Sequence, residues 1–325
     1  AFSLSLLGTF LVRSGVIVSV HAFATDPARG VFILTLAAMV IGGSLMLYSV
    51  KAANIKSVGR FSMFSREAML WCNNVLLVAG TIIVFMGTLL PLVHKEIGLG
   101  TISIGEPFFN QMFTYLIVPF ALLLGVAPLV RWKQDKVDKF VKGPLLAVVA
   151  SLVLAFIWLK LEFTQVKPLA YLGTVLFLWI VLHTRQELQL TVSKLGWRKL
   201  PMSHLAMVLG HIGIAFVIAG AALTSQYSTQ RDVKMNTGDS AALSGYLFRF
   251  DGIRDIDGPN YRGWAADIRI FQGEELEAEL LAEKRFYPVQ RNTMTEAAID
   301  DGFFRDVYVS LGENLPDGSW ALRLY

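Results

Sequence analysis

Residues 204–224 read HLAMVLGHIGIAFVIAGAALT and contain no Asp, Glu, Lys or Arg. A stretch of about 20 apolar residues is long enough to cross the hydrocarbon core of a bilayer as an α-helix. The rest of the sequence shares this character, because 54% of its 325 residues are hydrophobic and only 17% are charged. The mean hydropathy of +0.53 is high for a water-soluble domain. We therefore expect a membrane protein.

Six other apolar runs of comparable length lie upstream of this one, so the sequence predicts about seven transmembrane helices. The predicted crossings are residues 1–17, 31–50, 70–92, 112–131, 144–161, 168–183 and 204–224. The first run starts at Ala1 without the basic head or cleavage site of a signal peptide. We interpret residues 1–224 as a transmembrane helical domain that is truncated at its N-terminus.

The basic residues of the short connecting segments predict the orientation, because cytoplasmic loops carry an excess of Lys and Arg. Thirteen of them fall in 51–69, 131–143 and 184–203, and three fall in the alternate segments 18–30, 93–111 and 162–167. The first set is therefore expected in the cytoplasm. The alternate segments, and everything after about residue 225, are expected on the outer side. The basic excess beside lipid indicates no nucleic-acid partner.

The last hundred residues change from apolar runs to strand-like alternation. Segments such as YLFRFDGI, GWAADIRIF and RDVYVSL alternate apolar and polar side chains, and DGPN and LPDG supply turn chemistry between them. We expect residues 225–325 to form a small antiparallel β-domain outside the cytoplasm. Cys72 is the single cysteine, which excludes an internal disulfide framework and a cysteine-based metal cage.

The five histidines are the candidates for chemistry, since a neutral imidazole can bind heme iron through one nitrogen while the other nitrogen donates to a partner. His211 lies within the seventh predicted helix, between Gly210 and Gly213, which would let a flat macrocycle approach the backbone. Polar residues at membrane depth are generally functional. The competing interpretation is an interhelical hydrogen bond. We expect His94 in a solvated loop, and His183 and His204 at the cytoplasmic boundary.

Two further candidates belong to the first predicted helix and the outer segment after it. His21 stands among small and apolar residues in SVHAFATDP, where it could grip a porphyrin at the membrane surface. Arg13 lies in the apolar run, where an arginine is costly unless it snorkels to water or is paired. A heme propionate is one partner that suits a guanidinium group, and snorkelling is the alternative.

Several segments together resemble the CcmF family of cytochrome c maturation proteins, and the resemblance covers essentially the whole chain. They are FSLSLLGTFLVRSGVIVSVHAFATDPARG, LLPLVHKEIGLGTISIGEPFFN, HLAMVLGHIGIAF, QYSTQRDVKMNTGD and EKRFYPVQRNTMTEAAID. The resemblance implies a component of a cytochrome c heme lyase in the bacterial inner membrane, with residues 225–325 in the periplasm. It also implies partners: a CcmE-type heme chaperone, CcmH and CcmI-type subunits, apocytochrome c, and quinol as a candidate electron donor.

The same resemblance assigns roles to two histidines. His21 would be an axial ligand of the substrate heme, and His211 an axial ligand of a resident b-type heme. The family's tryptophan-rich segment, its second outer histidine and its second b-heme histidine have no counterpart in this sequence. We therefore expect the fragment alone to be inactive in heme ligation.

Two other functions compete with this interpretation. A membrane cytochrome b or quinol electron-transfer subunit would use His211 and would have no need of His21. A heme or solute transporter would be expected to show inverted repeats or broken helices that meet at the midplane, and the sequence shows neither.

Overall fold

The structure, a computed structural model, describes residues 2–14, 27–55, 59–135, 139–289, 291–302 and 305–325. The chain divides into two compact units, Ala1–Gln226 and Tyr227–Tyr325. The first unit is helical, with α1 Phe2–Ser14, α2 Pro27–Lys51, α3 Arg66–Glu96, α4 Glu106–Val126, α5 Lys139–Glu162, α6 Pro168–Leu195 and α7 Met202–Tyr227. The second unit is built from β-strands.

Six of the described helices are long and apolar enough to cross a membrane, which confirms a mainly helical, multi-pass membrane protein. The segment Phe2–Ser14 is apolar but shorter, at 13 residues. Pro91 and Pro119 lie inside α3 and α4. Helices within a bundle tolerate such prolines, because neighbouring helices can re-satisfy the freed backbone groups.

The buried centre of the helical unit is formed by α4, α6 and α7. Its members are Ala121, Leu176, Trp179, Ile180, Ala215 and Ile218. Trp179 fits against α4 because Gly125 has no side chain: a Cβ there would lie 2.3 Å from the indole nitrogen. The same nitrogen donates to the carbonyl of Leu122 at 3.3 Å. This packing fixes α6 beside α4.

Helix α6 continues well beyond the predicted crossing, from residue 183 to Leu195. The crossing predicted from hydropathy stops where polar side chains begin. The helix itself continues to Leu195 and is capped by Gly196, whose φ of 78° suits glycine. The extension matters because it carries Glu187 as part of a regular helix.

The β-unit is a sandwich of two antiparallel sheets. Its strands are β1 Arg231–Met235, β2 Ser240–Leu243, β3 Tyr246–Asp257, β4 Arg262–Gln272, β5 Glu275–Tyr287, β6 Asn292–Glu296, β7 Ala298–Asp301, β8 Asp306–Asn314 and β9 Trp320–Leu324. One sheet has the order β1-β9-β8-β7, and the other has the order β2-β3-β4-β5-β6. Alternate side chains of both sheets meet in a common core that includes Phe248, Phe250, Ile268, Val309 and Leu322.

The sequence predicts that Trp264, Ala266, Ile268 and Ile270 share one face of β4. Ala266, Ile268 and Ile270 are buried as expected, whereas Trp264 is exposed and its neighbour Ala265 is buried. Strands β1, β2, β6 and β7 were not predicted individually. Each has only four or five residues, which is too short for the period of two to stand out in the sequence.

Candidate functional site

His211 projects from α7 toward a cavity within the helical unit. Its ring is half-buried, and Nδ1 lies 2.8 Å from the carbonyl oxygen of Met207, one turn earlier. A carbonyl can only accept, so Nδ1 must carry the proton and donate. The lone pair of Nε2 is then free. Metal-binding imidazoles are commonly oriented by a hydrogen bond of this kind to a backbone carbonyl.

The cavity beside His211 has a volume of about 540 Å³ and is lined by α3, α4, α6 and α7 together with the short segments that follow α4 and precede α7. His204, Met207 and His211 follow one another at spacings of three and four residues, so all three lie on one stripe of α7. The other polar lining residues are Arg66, Asn73, Glu187 and Ser203. His211 therefore faces a partly polar interior cavity and not only lipid.

Glu187 of α6 and His204 of α7 meet across this cavity. Oε2 of Glu187 lies 3.0 Å from Nε2 of His204, and the side chains are only 13% and 15% exposed. The atoms are close enough for an ion pair, but their alignment is not that of a hydrogen bond, and neither makes one elsewhere within the described ranges. The other carboxylate oxygen accepts from the hydroxyl of Thr191 at 3.1 Å.

Arg66 supplies the fixed positive charge of the cavity wall. Its Nε donates to the carbonyl of Val130 at 2.9 Å, and its guanidinium group also donates to the carbonyl of Pro128. The group lies over the ring of Trp132, with Cζ 5.3 Å from the ring centroid. These contacts tie the start of α3 to the segment after α4. The sequence had placed Arg66 only among the cytoplasmic loop charges.

Glu187, Arg66 and Asn73 are the cavity residues that the sequence analysis missed. The available signal was the spacing of polar residues in the second half of α6: His183 and Glu187 are four residues apart and therefore share a face of that helix. A buried Asn73 Oδ1, which has no hydrogen-bond partner among the described residues, adds to the polar character of the cavity.

Gly210 and Gly213 flank His211 in sequence, and a Cβ at either position would meet nothing within 4 Å. With about 100° of rotation per residue, Gly210 lies about 100° and Gly213 about 160° from His211 around α7, so Gly213 is nearly on the opposite face. Both are exposed. Neither lines the cavity beside His211, so their predicted role in the approach of a macrocycle stays a prediction.

His183 offers an instructive comparison with His211. It is completely buried, its Nδ1 donates to the carbonyl of Trp179 at 2.8 Å, and its Nε2 has no hydrogen-bond partner in the described part of the chain. The imidazole packs on the indole of Trp179, with ring centroids 3.9 Å apart. It lines none of the cavities described here. His183 therefore has a free nitrogen but does not border the cavity beside His211.

His21 falls outside the described residues. Arg13 is an exposed residue of the last turn of α1. His94 is half-buried near the end of α3, where its Nδ1 donates to the carbonyl of Gly100 at 2.9 Å. Neither Arg13 nor His94 lines the cavity beside His211, whereas His204 and His211 both line it.

A second cavity of about 600 Å³ provides the apolar counterpart. It is lined almost entirely by aliphatic and phenylalanine side chains of α1, α3, α4 and α7. Its hydroxyl groups, on Thr81 and Thr88, are bonded to carbonyls of their own helix, those of Leu77 and Val84. Polar groups suited to a redox or proton-linked site are concentrated in the cavity beside His211.

The arrangement around His211 fits one side of a heme. The imidazole has the required tautomer and a free Nε2, and the cavity next to it has both apolar walls and a few polar groups. Among the described residues that line this cavity, His211 is the one whose orientation would suit a ligand of such a group.

Comparison with known proteins gives consistent matches over the whole chain. The family described as CcmF C-terminal beta-sandwich matches residues 226–325. The cytochrome c-type biogenesis protein CcmF of Escherichia coli (strain K12) is 50% identical over 325 residues, which is 100% of this chain and 50% of that protein. The CcmF proteins of Haemophilus influenzae and Pseudomonas aeruginosa are 49% and 44% identical, and the match covers 100% of this chain in each case.

A solved structure, that of the cytochrome c heme lyase CcmF, has a similar fold. The TM-score is 0.72 at 20% sequence identity, and the match covers 99% of this chain and 49% of that one. The chain spans about half the length of the curated relatives it matches: 50% in E. coli, and 51% and 50% in the other two. Its transmembrane helices, its β-sandwich and its likeness to these proteins agree, and the chain belongs to the CcmF family.

Proposed function

We propose that this chain is the heme-handling membrane component of a cytochrome c heme lyase, in which His211 provides one axial ligand of a resident b-type heme. The observation that carries the proposal is the free Nε2 of a half-buried imidazole beside an interior cavity. The names of the relatives, which are cytochrome c-type biogenesis proteins, support the same function.

The residues of the chain would bind the heme, fix its orientation and exclude water from it. A b-type heme would supply one-electron chemistry when bound. His211 would hold the iron through Nε2 while the carbonyl of Met207 fixes the ring plane. His21 would ligate the incoming substrate heme on the outer side, and Arg13 is a candidate partner for a propionate there. Correct placement of the reacting groups contributes much of the rate in such a reaction.

The location and partners follow from the same proposal. The chain would lie in the bacterial cytoplasmic membrane, with the β-sandwich in the periplasm, as the basic residues of the loops predict. It would receive heme from a CcmE-type chaperone and act on apocytochrome c with CcmH and CcmI-type subunits, with quinol as electron donor. The β-sandwich would dock partner proteins. Because the chain spans half of its relatives, ligation would need the remainder of the protein.

The test is the absorption spectrum of the purified full-length protein. His211→Ala should abolish the reduced b-type band, because the described cavity offers no second imidazole aligned like that of His211. His94→Ala, which changes a histidine that does not line this cavity, should leave the band unchanged. An unaltered band in His211→Ala would remove this residue from the heme site.

A second measurement separates heme lyase activity from simple electron transfer. His21→Ala in the full-length protein should abolish the formation of covalent holocytochrome c while the b-type band persists. Normal holocytochrome c in this variant would instead favour a membrane cytochrome b that uses His211 alone.

A further inference from the structure

The pair formed by Glu187 and His204 is not used in the proposed ligation of the heme, yet it lines the same cavity as His211. An acidic residue within an apolar helical unit is costly to bury unless it is paired or can be neutralised by a proton. Both side chains are mostly buried, and the facing atoms lack well-aligned hydrogen bonds to any described residue. The pair is therefore only partly satisfied in this structure.

The pair lies at the end of the cavity away from His211 along α7. Seven residues separate His204 from His211, which corresponds to about 10 Å along the helix axis. At this distance, within surroundings less polar than water, a change of one charge at His211 is felt by the pair. Glu187 lies about two turns before the end of α6, and His204 lies in the first turn of α7, next to the segment 196–201 that joins the two helices. Protons can therefore reach the pair from the side that the basic residues assign to the cytoplasm.

The charged and titratable groups that face the pair are few. α3 contributes Arg66, α6 contributes Glu187, and α7 contributes His204 and His211, whereas the lining residues of α4 and its following turn carry no charge. His183 lies one turn before Glu187 on the same face of α6, but it does not line the cavity. Arg66 keeps its proton under all ordinary conditions and is bound to backbone carbonyls. The carboxylate and imidazole of the pair are thus the groups that can gain or lose a proton in response to charge at His211.

We propose that Glu187 and His204 act together as a proton acceptor that is coupled to the arrival of an electron at a heme held by His211. This inference rests on the proposed function. An external one-electron reductant supplies the electron, and water at the cytoplasmic side supplies one proton. The proton forms a single new N–H or O–H bond within the pair, so the added negative charge is compensated. Linkage also requires the reverse: protonation of the pair favours reduction.

Glu187 and His204 would influence the reduction equilibrium of the heme through their charge, since neither needs to touch it.

The experiment is a spectroelectrochemical titration of the b-type band in full-length protein between pH 6 and pH 9, with dithionite and ferricyanide through mediators. In the unmodified protein, the equilibrium constant for reduction should fall as pH rises, by up to about tenfold per pH unit for one proton per electron. Glu187→Gln and His204→Gln should each reduce this dependence to less than about twofold per unit. Glu162→Gln, at an exposed acidic residue ending α5, should retain the full dependence.

Each outcome is decisive. A pH-independent potential in the unmodified protein, or full pH dependence in both pair variants, would overturn the inference while leaving the b heme intact. Loss of the band in both pair variants would assign the pair a structural role and also overturn it. Absence of the band from the unmodified protein would instead refute the proposed function itself.

Discussion

At the scale of single residues, local surroundings decide what an imidazole can do. His183 and His211 make the same hydrogen bond, from Nδ1 to the carbonyl four residues earlier, at 2.8 Å in each case. His183 is completely buried against an indole, whereas His211 is half-buried and borders a cavity. The difference arises from the neighbouring helices. It explains why only one of the two is suited to ligand binding.

In the β-sandwich, the protonation of a carboxyl group also depends on its immediate neighbours. Asp317 lies in the turn between β8 and β9, where it accepts hydrogen bonds from Lys234 and from the hydroxyl and backbone amide of Ser319 at 2.6 Å and 3.2 Å. The hydrogen bond from Lys234, followed by those from Ser319, lowers the pKa of this carboxyl group well below its ordinary value. Gly318 has a φ of 84°, which the turn requires.

This pKa predicts how the stability of the sandwich depends on pH. A carboxyl group with a lowered folded-state pKa stabilises the fold above its unfolded pKa, here near 3.8, and this contribution is lost as pH falls below it. Asp317→Asn should therefore lower the urea midpoint of the β-unit at pH 7. The difference from the unmodified protein should shrink at pH 3, as measured by pulse proteolysis of the full chain.

The matched control for this prediction is Asp301→Asn, at an exposed residue that ends β7. It should change the urea midpoint little at either pH. A deficit of Asp317→Asn that is as large at pH 3 as at pH 7 would show that lost turn geometry, and not the carboxylate charge, causes the effect.

At the scale of secondary-structure elements, the position of α7 depends on a close crossing with α6. Gly173 lies where a Cβ would come within 2.2 Å of the Cβ of Ala222, so the two backbones can approach only because glycine has no side chain. Phe177 and Phe216 pack edge to face nearby, with centroids 5.1 Å apart. Since α7 carries His211, this crossing sets where the imidazole lies.

The crossing yields a prediction for Gly173→Val. The added side chain should separate α7 from α6, at a cost of about 1–3 kcal/mol for overpacking. Thermal unfolding in detergent should begin at lower temperature, and the b-type band of the full-length protein should weaken. Gly220→Val on α7, where a Cβ meets nothing within 4 Å, is the control and should have little effect. Equal effects of both substitutions would contradict the importance of this contact.

The elements also show how far sequence reasoning reaches. Long apolar runs such as 70–92 and 204–224 identify their helices, because hydrocarbon thickness fixes both length and composition. The same measure stops at residue 183 in α6 and therefore misses Glu187. His204 and His211 could be placed on one stripe of α7 from their spacing, but the cavity that they share depends on α3, α4 and α6. Contacts between distant segments leave no periodic signal in one sequence.

At the scale of the whole molecule, the two units differ in the sign of their charge. Residues 1–224 carry eighteen basic and eight acidic side chains, and residues 225–325 carry eleven and seventeen. The basic side chains of the helical unit are concentrated in alternate loops, as expected when cationic segments stay in the cytoplasm. The β-unit has no such excess of basic residues, so this rule does not hold it in the cytoplasm and it can be moved across the membrane. This distribution is the physical basis for placing the sandwich outside the cytoplasm.

Orientation can be tested by labelling single cysteines from one side of the membrane. In a Cys72→Ser background of the full-length protein, exposed positions on opposite sides are available: Ser103 between α3 and α4, Thr237 between β1 and β2, and Gln134 between α4 and α5. A membrane-impermeant maleimide added to intact spheroplasts should label Ser103→Cys and Thr237→Cys within minutes. It should label Gln134→Cys only after permeabilisation, because crossing the bilayer as a charged reagent is too costly. If Gln134→Cys were labelled in intact spheroplasts and Thr237→Cys were protected, the chain would have the opposite orientation in the membrane. The Glu187–His204 end of the cavity would then open toward the outside, and protons would have to arrive from there.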